Sequence, residues 1–186
     1  MTYVKVSLPK FKTGGAAPVP KDPNVLVYRA SDVLTFPTRN GVEAVGNLTL
    51  KEGAKGVALY LTPNTISRGG TTEGEPTEER AAFVDSVSGQ RPGDDKHFAG
   101  WLQEDLNEGH ILITKECGDA EGTRLHGTPC NPLYFGVDKS DNKEGKFSAL
   151  TWTQGQPSKN ATLHYTGTIP PVADAPGSGS DGEGGI

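Results

Sequence analysis

The sequence predicts a mainly β protein: a β-sandwich or barrel-like domain with one packed α-helix and long loops or extended hairpins. Its 25 glycines and 14 prolines among 186 residues interrupt the chain too often for long helices. The apolar runs are short, rich in Val, Leu, Tyr and Thr, and separated by turn sequences, as is typical of strands. A single segment has helical periodicity, so a sheet covered by one helix is the architecture that this pattern favours.

Strand-like runs dominate the first part of the chain. An alternating segment at 2–8 could form a strand, and the Gly/Pro-rich stretch 13–23 reads as an arm or connector. Pro37 interrupts one later run, so we expect that strand to bend or to lie at a sheet edge. The predicted strands that follow the arm are 24–30, 32–38, 41–50 and 55–63.

Residues 64–93 differ in character from what precedes them. They hold few large apolar side chains before Phe83 and Val84. We therefore expect a long exposed loop or an extended hairpin, and a segment of this length inside a compact domain is usually functional or mobile.

The predicted helix spans about 94–107. Asp94 and Asp95 suit its N-cap and first turn, and Gly109 follows as a stop signal. An apolar stripe with three- and four-residue spacing is expected to face the core and consists of Phe98, Trp101, Leu102 and Leu106. The polar residues expected to point elsewhere include Asp95, Gln103 and Asp105.

Strands return after the helix. On one predicted strand Trp152 and Leu150 share a face, and in the segment before it Leu133, Phe135 and Val137 alternate inward. The predicted strands are 110–116, 132–138, 147–154 and 161–168, with a turn at 140–146. We expect a single domain over 1–169, with an N-terminal arm at 1–23, and a disordered Gly/Ser/acidic tail at 170–186.

The charge and hydropathy patterns exclude several classes of protein. A net charge of −5 with scattered lysines argues against a nucleic-acid-binding surface, which needs clustered Lys and Arg. No apolar run approaches the length of a membrane span. The N-terminal residues show no secretory signal, so we expect the chain to be made in the cytosol.

Two histidines and two cysteines within a short stretch raise the question of a metal site. His110, Cys117, His126 and Cys130 have the spacing H-x6-C-x8-H-x3-C, which lacks the close cysteine pairs of structural zinc sites. A disulfide between Cys117 and Cys130 is not expected in a reducing cytosol. We expect two small, buried structural thiols, although the sequence leaves their redox state open.

No other motif predicts chemistry. A G-x-S-x-G motif is absent, and the carboxylate pairs Glu104/Asp105 and Glu78/Glu79 read as solvated faces. The glycines at 177, 179 and 182 follow no strand, and 138–145 lacks the acidic pattern of a calcium loop. We therefore expect no enzyme and assign no catalytic, cofactor-binding or metal-binding residue, and no cofactor.

The second half of the chain carries a resemblance to a known family. Residues 89–119 give a Pro-Gly turn, a helix with Phe and Trp, and a strand. Residues 123–138 contain the turn GTPCNPL, and 147–167 supply two closing strands. This order resembles phage major tail tube proteins, in particular those of phages and prophage-like elements from Bacteroidetes-type hosts.

The resemblance implies a structural virion protein of the tail, assembled in the host cytoplasm. Six copies are expected to form a ring, and stacked rings a hollow tube through which DNA passes without specific binding. Strands around 24–63 would supply long hairpins for an inner barrel, and 64–93 would contact the next ring. The arm, the tail and other tail proteins are further expected contacts. An acidic chain suits such a lumen, and a hydrophobic fraction of 33% suits a subunit completed by its copies.

Two alternatives stay open at this stage. One is another virion β-protein, such as a capsid decoration or head-fibre protein. The other is a carbohydrate- or ligand-binding β-module that uses Trp152 or Tyr165 as an exposed platform. The sequence does not determine the oligomer number, the host, whether the tail is contractile, or which strands face a lumen.

Overall fold

The predicted fold class is confirmed. The computed structural model of the protein describes residues 5, 7–9, 18–143 and 145–176. This part of the chain is mainly β, with a large sheet and one α-helix.

The strands are short in the first part of the chain and long in the second. The described strands are β1 (Asn24–Arg29), β2 (Val33–Thr35), β3 (Thr38–Asn40), β4 (Glu43–Val45), β5 (Thr49–Leu50), β6 (Val57–Tyr60), β7 (Ser67–Glu73), β8 (Ala82–Pro92), β9 (His110–Glu116), β10 (Asp119–His126), β11 (Leu133–Asn142), β12 (Gly145–Gln154) and β13 (Leu163–Tyr165). The α-helix, α1, is Lys96–Glu104, and short 3-10 turns lie at Ala30–Asp32, Pro63–Thr65 and Pro76–Glu78.

Strand β9 connects the parts of the large sheet. It pairs antiparallel with β1 on one side and with β10 on the other, and β1 pairs in turn with β6. Strands β13, β4 and β3 continue the sheet beyond β10. A single pair, His110 with Leu133, joins β9 to β11, from which β12, β8 and β7 follow. Strands β2 and β5 form a separate two-stranded sheet.

The central strands β1 and β9 are buried on both faces, which explains their continuous apolar runs. One face packs with β6, β8, β11, β12 and α1. Its core residues include Val27, Leu112, Leu150 and the fully buried Trp152. The opposite face packs with β4, β10 and β13 and includes Leu26, Ile113 and Tyr165. The chain thus forms two cores, one on each side of the β1–β9 pair.

Helix α1 is shorter than the sequence predicts. Asp95 caps it by accepting hydrogen bonds from the amides of His97 and Phe98, at 3.0 and 2.9 Å. Phe98 and Leu102 are buried as expected, but the helix ends at Glu104 and Leu106 is 58% exposed. The expectation that Asp105 points away from the core is also wrong, because this residue is buried.

For residues 64–93 the sequence predicted either a long exposed loop or an extended hairpin, and the structure shows the hairpin. Strands β7 and β8 pair from Ser67 with Ser88 to Glu73 with Ala82. At the tip Gly74 has a positive φ of 87°, and a Cβ there would lie 2.3 Å from the Arg80 carbonyl oxygen. This close approach requires glycine.

Several boundaries in the second half differ from prediction. Strand β10 was not predicted, since it contains few apolar residues. Its pairing with β9 is irregular, with a register shift between Asp119 and Arg124. The predicted turn at 140–146 is mostly strand, because β11 and β12 continue pairing up to Asn142 with Gly145. The expected long hairpins at 24–63 are wrong as well: β2 to β6 have two to four residues each, whereas β11 and β12 have ten.

The arm and the tail contact the domain where they are described. Lys21 pairs with Glu116, and the Cys117 amide donates to the Pro20 carbonyl oxygen. Residues 5 and 7–9 carry no strand, and the rest of the strand predicted at 2–8 lies outside the described residues. At the other end Val172 pairs with Gly56, so packing extends past the expected boundary at residue 169. Residues 177–186 lie outside the described residues.

Pro37 has the predicted effect. Strand β2 ends at Thr35 and β3 begins at Thr38, so proline separates two strands of three residues each. Strand β3 pairs with β4 at one end of the large sheet.

Candidate functional site

Three strands of the large sheet pair on one side only over most of their length within the described ranges. Strand β3 pairs only with β4, β7 only with β8, and β11 beyond Leu133 only with β12. A free edge exposes a row of backbone donors and acceptors that another strand can satisfy. These edges are therefore the first candidate surface for binding a protein partner.

The edges at β3 and β7 differ in chemistry. Next to β3, the turn and strand β4 expose two valines, Val42 at 52% and Val45 at 54%. Strand β7 has the sequence SRGGTTE and exposes every side chain except that of Arg68, which pairs with Glu116. One end of the sheet is therefore partly apolar, and the other is polar.

The outer half of the β7–β8 hairpin is exposed on both faces. Residues 69–81 are all exposed, and the segment around the tip carries the acidic residues Glu73, Glu75, Glu78 and Glu79. Arg80 forms an ion pair with Glu78 there. Residues 69–81 are therefore available for contact with another molecule.

A groove runs between the β6 edge and helix α1. Its volume is about 670 Å³, and its walls include the side chains of Tyr60, Phe98 and Trp101. Residues 173–176 line the same groove, since Ala173 donates to the Gly56 carbonyl oxygen and the chain then continues along β6. A second cavity of about 330 Å³ shares Val57 and Trp101 with the groove.

The second cavity contains a charged cluster of Arg29, Asp105 and His110. Arg29 donates to both carboxylate oxygens of Asp105, at 2.7 and 3.1 Å. Nε2 of His110 lies 3.2 Å from Asp105 Oδ1, so this nitrogen donates when the carboxylate is ionised. Nδ1 of His110 is buried with no hydrogen-bond partner among the described residues.

Electrostatics keep this cluster in one protonation state. Burial lowers the pKa of His110 and outweighs the opposing effect of Asp105. Burial therefore favours the neutral imidazole. Burial would raise the pKa of Asp105, but hydrogen bonds from Arg29 and His110 reverse this and lower it. The hydrogen bond to Asp105 raises the pKa of Arg29. An ion pair beside a neutral histidine is the resulting state near pH 7.

A second buried cluster joins β8, β9 and β10. Nδ1 of His126 lies 3.0 Å from Asp85 Oδ2, and its Nε2 lies 3.0 Å from Thr114 Oγ1. The order of hydroxyl, imidazole and carboxylate is that of a nucleophile–base relay. Thr114 and His126 are both 2% exposed, so no substrate reaches the hydroxyl. The cluster therefore serves to cross-link three strands.

Sequence spacing gave no sign of either cluster. Asp85, Thr114 and His126 lie on three separate strands, and Arg29 is 76 residues from Asp105. The signal that could have found them is the presence of polar residues within otherwise apolar strands, since such groups need buried partners.

The four residues considered for metal binding are not brought together in one site. His110 and His126 belong to the two different clusters above, and the described residues contain no group of three or more His, Cys, Asp or Glu suited to a metal. Cys117 and Cys130 are free thiols. Both are exposed at turns, so the expectation of two buried thiols is wrong.

The remaining candidates from the sequence are spread over different parts of the chain. Glu104 is exposed while its neighbour Asp105 is buried, and Glu78 and Glu79 are both exposed at the hairpin tip. Residues 138–143 and 145 belong to β11, β12 and the turn between them. Gly177, Gly179 and Gly182 lie outside the described residues.

The aromatic residues considered for ligand binding are buried. Trp152 is 0% and Tyr165 is 1% exposed, so neither offers a platform for stacking a sugar. Trp101 is half-buried and stacks between Phe98 and Phe135, with ring centroids 6.0 and 5.3 Å away. The expectation of an exposed aromatic platform at Trp152 or Tyr165 is therefore wrong.

Comparison with known proteins adds no relative. No family model, curated protein or solved structure matches the chain. Among the helices of the described residues, none combines the length and hydrophobicity needed to cross a membrane.

Proposed function

We propose that this protein is a structural virion protein, a subunit of a ring that stacks into the tail tube of a phage. The ring contains six copies, and DNA passes through it without specific binding. The proposal combines the resemblance in the second half of the chain with the free edges of the folded subunit. It places the protein in the virion tail, assembled in the host cytoplasm, where other tail proteins are further partners.

The observation that carries the proposal is the pair of free strands at opposite ends of one sheet. Strand β3 ends the sheet on one side and β7 on the other. A head-to-tail contact joins two different surfaces of the same chain, and such contacts close into a ring when the rotation fits. Pairing β7 of one copy with β3 of the next satisfies both edges in each subunit and continues the sheet around the ring.

Charge and shape fit the same arrangement. The outer β7–β8 hairpin is exposed on both faces and has an acidic tip, so it is suited to reach a subunit of the next ring. The net charge of −5 disfavours tight contact with the phosphates of passing DNA.

Negative-stain electron microscopy and sedimentation of the purified full chain test the proposal. Hexameric rings or tubes are the expected result. A monodisperse monomer at high protein concentration contradicts it. Trimers that bind to assembled capsids would instead identify a capsid decoration or head-fibre protein.

A further inference from the structure

Strands β7, β8, β12 and β11 lie side by side in the large sheet, and their residues alternate between two faces. One face packs against α1 and contains Leu150 and Trp152. We call the opposite face the hydroxyl face, because Ser and Thr are its commonest residues. Its central cross-strand rows are Tyr134, Thr153, Ser86 and Gly69; then Gly136, Thr151, Ser88 and Ser67; then Asp138, Ala149 and Gln90.

The hydroxyl face is open to solvent, whereas the opposite face is covered. Phe98 and Leu102 of α1 are buried in the same core cluster as Leu150 and Trp152. On the hydroxyl face Ser86 and Ser88 are half-buried. The exposed residues of its central rows are Ser67, Gly69, Gln90, Tyr134, Gly136, Asp138, Thr151 and Thr153. The four strands therefore carry a second layer on one side only.

The charged side chains of these strands divide unequally between the two faces. Each strand has one basic residue, and all four lie on the side of α1: Arg68, Arg91, Lys139 and Lys146. Each forms an ion pair within its own subunit, with Glu116, Asp95, Asp94 and Asp141 respectively. Over the described residues of the same strands, the hydroxyl face carries the carboxylates of Glu73 and Asp138 and no Lys, Arg or His.

This distribution of charge suits a surface that lies near a polyanion without holding it. Affinity for DNA depends strongly on contacts between phosphates and the side chains of Lys and Arg. Those side chains are kept on the other face, where acidic neighbours in the same subunit neutralise them. Hydroxyl groups bring no net charge, and the two carboxylates repel phosphates.

The layer on the other face favours one orientation of these strands in a ring. When a sheet closes into a ring, its outer side has the larger circumference and accommodates an additional layer, as helices do around a barrel of parallel strands. The side that carries α1 therefore fits the outside of the ring. The open hydroxyl face is then directed toward the axis.

We propose that the hydroxyl face of β7, β8, β11 and β12 lines the channel through which double-stranded DNA passes. The inference rests on the proposed tail tube and adds which surface of the subunit meets the DNA. It differs from the expectation that strands around 24–63 form the inner barrel.

Gold labelling of assembled tubes tests the orientation. Cys117→Ser and Cys130→Ser remove the exposed native thiols of the full chain. On this background Thr151→Cys or Thr153→Cys places a thiol on the hydroxyl face. Gln103→Cys is the matched control, since Gln103 is also exposed but lies on α1. A thiol-reactive gold cluster is added to the tubes, and electron microscopy locates it.

Gold is expected on the tube axis for Thr151→Cys and Thr153→Cys, and at the outer rim for Gln103→Cys. Gold at the outer rim for the two threonine variants overturns the assignment and leaves the tube standing. The same holds if both threonine variants fail to assemble or to react while the control does both, because the face then lies in a contact between copies. Neither rings nor tubes from the serine background or the unmodified chain reject the tube and this inference together.

A charge on the hydroxyl face provides a second readout. Thr151→Lys and Gln103→Lys are each assembled with short duplex DNA, and the DNA that resists added nuclease is measured. Thr151→Lys tubes are expected to protect at least about tenfold more DNA than Gln103→Lys tubes, because each lysine directed into the channel contacts phosphates there. Protection should decline as salt is raised. Equal protection by the two variants contradicts the proposed lining.

Discussion

Asp105 accepts two hydrogen bonds from Arg29, one from Nε at 2.7 Å and one from Nη2 at 3.1 Å. The pair connects the residue that follows α1 to the end of β1. Asp105 is 4% exposed, and its carboxylate is also hydrogen-bonded to His110 at the start of β9. This carboxylate therefore holds the helix against the two central strands of the fold.

Removing the carboxylate should destabilise the protein. Asp105→Ala leaves the guanidinium of Arg29 and the buried Nε2 of His110 without their partner. Breaking a fully buried ion pair costs about 3–5 kcal/mol, and since the Arg29 side chain is 40% exposed we expect about 2–3 kcal/mol here. Urea unfolding measures the loss. Glu104→Ala, at the exposed neighbouring position, should change stability by less than about 0.5 kcal/mol. Equal effects of the two substitutions would contradict this role of Asp105.

Acid should destabilise the protein in two stages. The pKa of His110 is lowered from its ordinary value of 6.5 by burial, so the unfolded chain binds a proton first. Stability is therefore fully present above pH 6.5 and falls as the pH drops below it. The pKa of Asp105 is lowered from 3.8, so a second loss begins near that pH and continues through the folded pKa. Urea unfolding between pH 7.5 and 3 measures both stages.

Histidine variants assign the first stage. His110→Gln should reduce the slope of stability against pH just below 6.5. His164 contributes in the same direction, because burial and Arg124 lower its pKa, so His164→Gln measures its share. An unchanged slope in His110→Gln would show that this histidine does not titrate as described.

The sequence predicted those parts of the fold that hydrophobic pattern controls. The apolar runs of β1 and β9 predicted strands there, and the alternation of Leu150 and Trp152 predicted the inner face of β12. The single helix followed from the spacing of Phe98 and Leu102. In each case local pattern and tertiary burial require the same residues.

The remaining features depend on contacts between distant parts of the chain. Asp105 points inward because it forms an ion pair with Arg29 there, and no local sequence pattern predicts that contact. Strand β10 buries Leu125 and is held by pairing with β9 and β13. Cys117 and Cys130 are exposed because each lies at a turn, where the usual preference of cysteine for burial is overridden.

The hydroxyl of Thr114 should contribute measurably to stability. Thr114→Val keeps the shape of the side chain but leaves Nε2 of the buried His126 without a hydrogen bond. An unsatisfied buried polar atom costs about 1–3 kcal/mol. Thr153→Val, at an exposed position on β12, is the matched control and should change stability by less than about 0.5 kcal/mol. Thermal or urea unfolding of both variants measures the difference, and a loss no larger than that of the control would remove the cross-linking role of the Asp85–His126–Thr114 cluster.

The free edge of β7 should be necessary for assembly but not for folding. Thr71→Lys places a charge on the exposed edge strand, and lysine at this kind of position opposes pairing with another chain. We expect self-association at least about tenfold weaker, equivalent to about 1.4 kcal/mol, with circular dichroism unchanged. Sedimentation across a concentration series and negative-stain microscopy provide the measurement. Thr151→Lys adds the same charge on a strand with two neighbours, so it should assemble like the unmodified chain. Normal rings or tubes from Thr71→Lys would show that copies meet through some other surface.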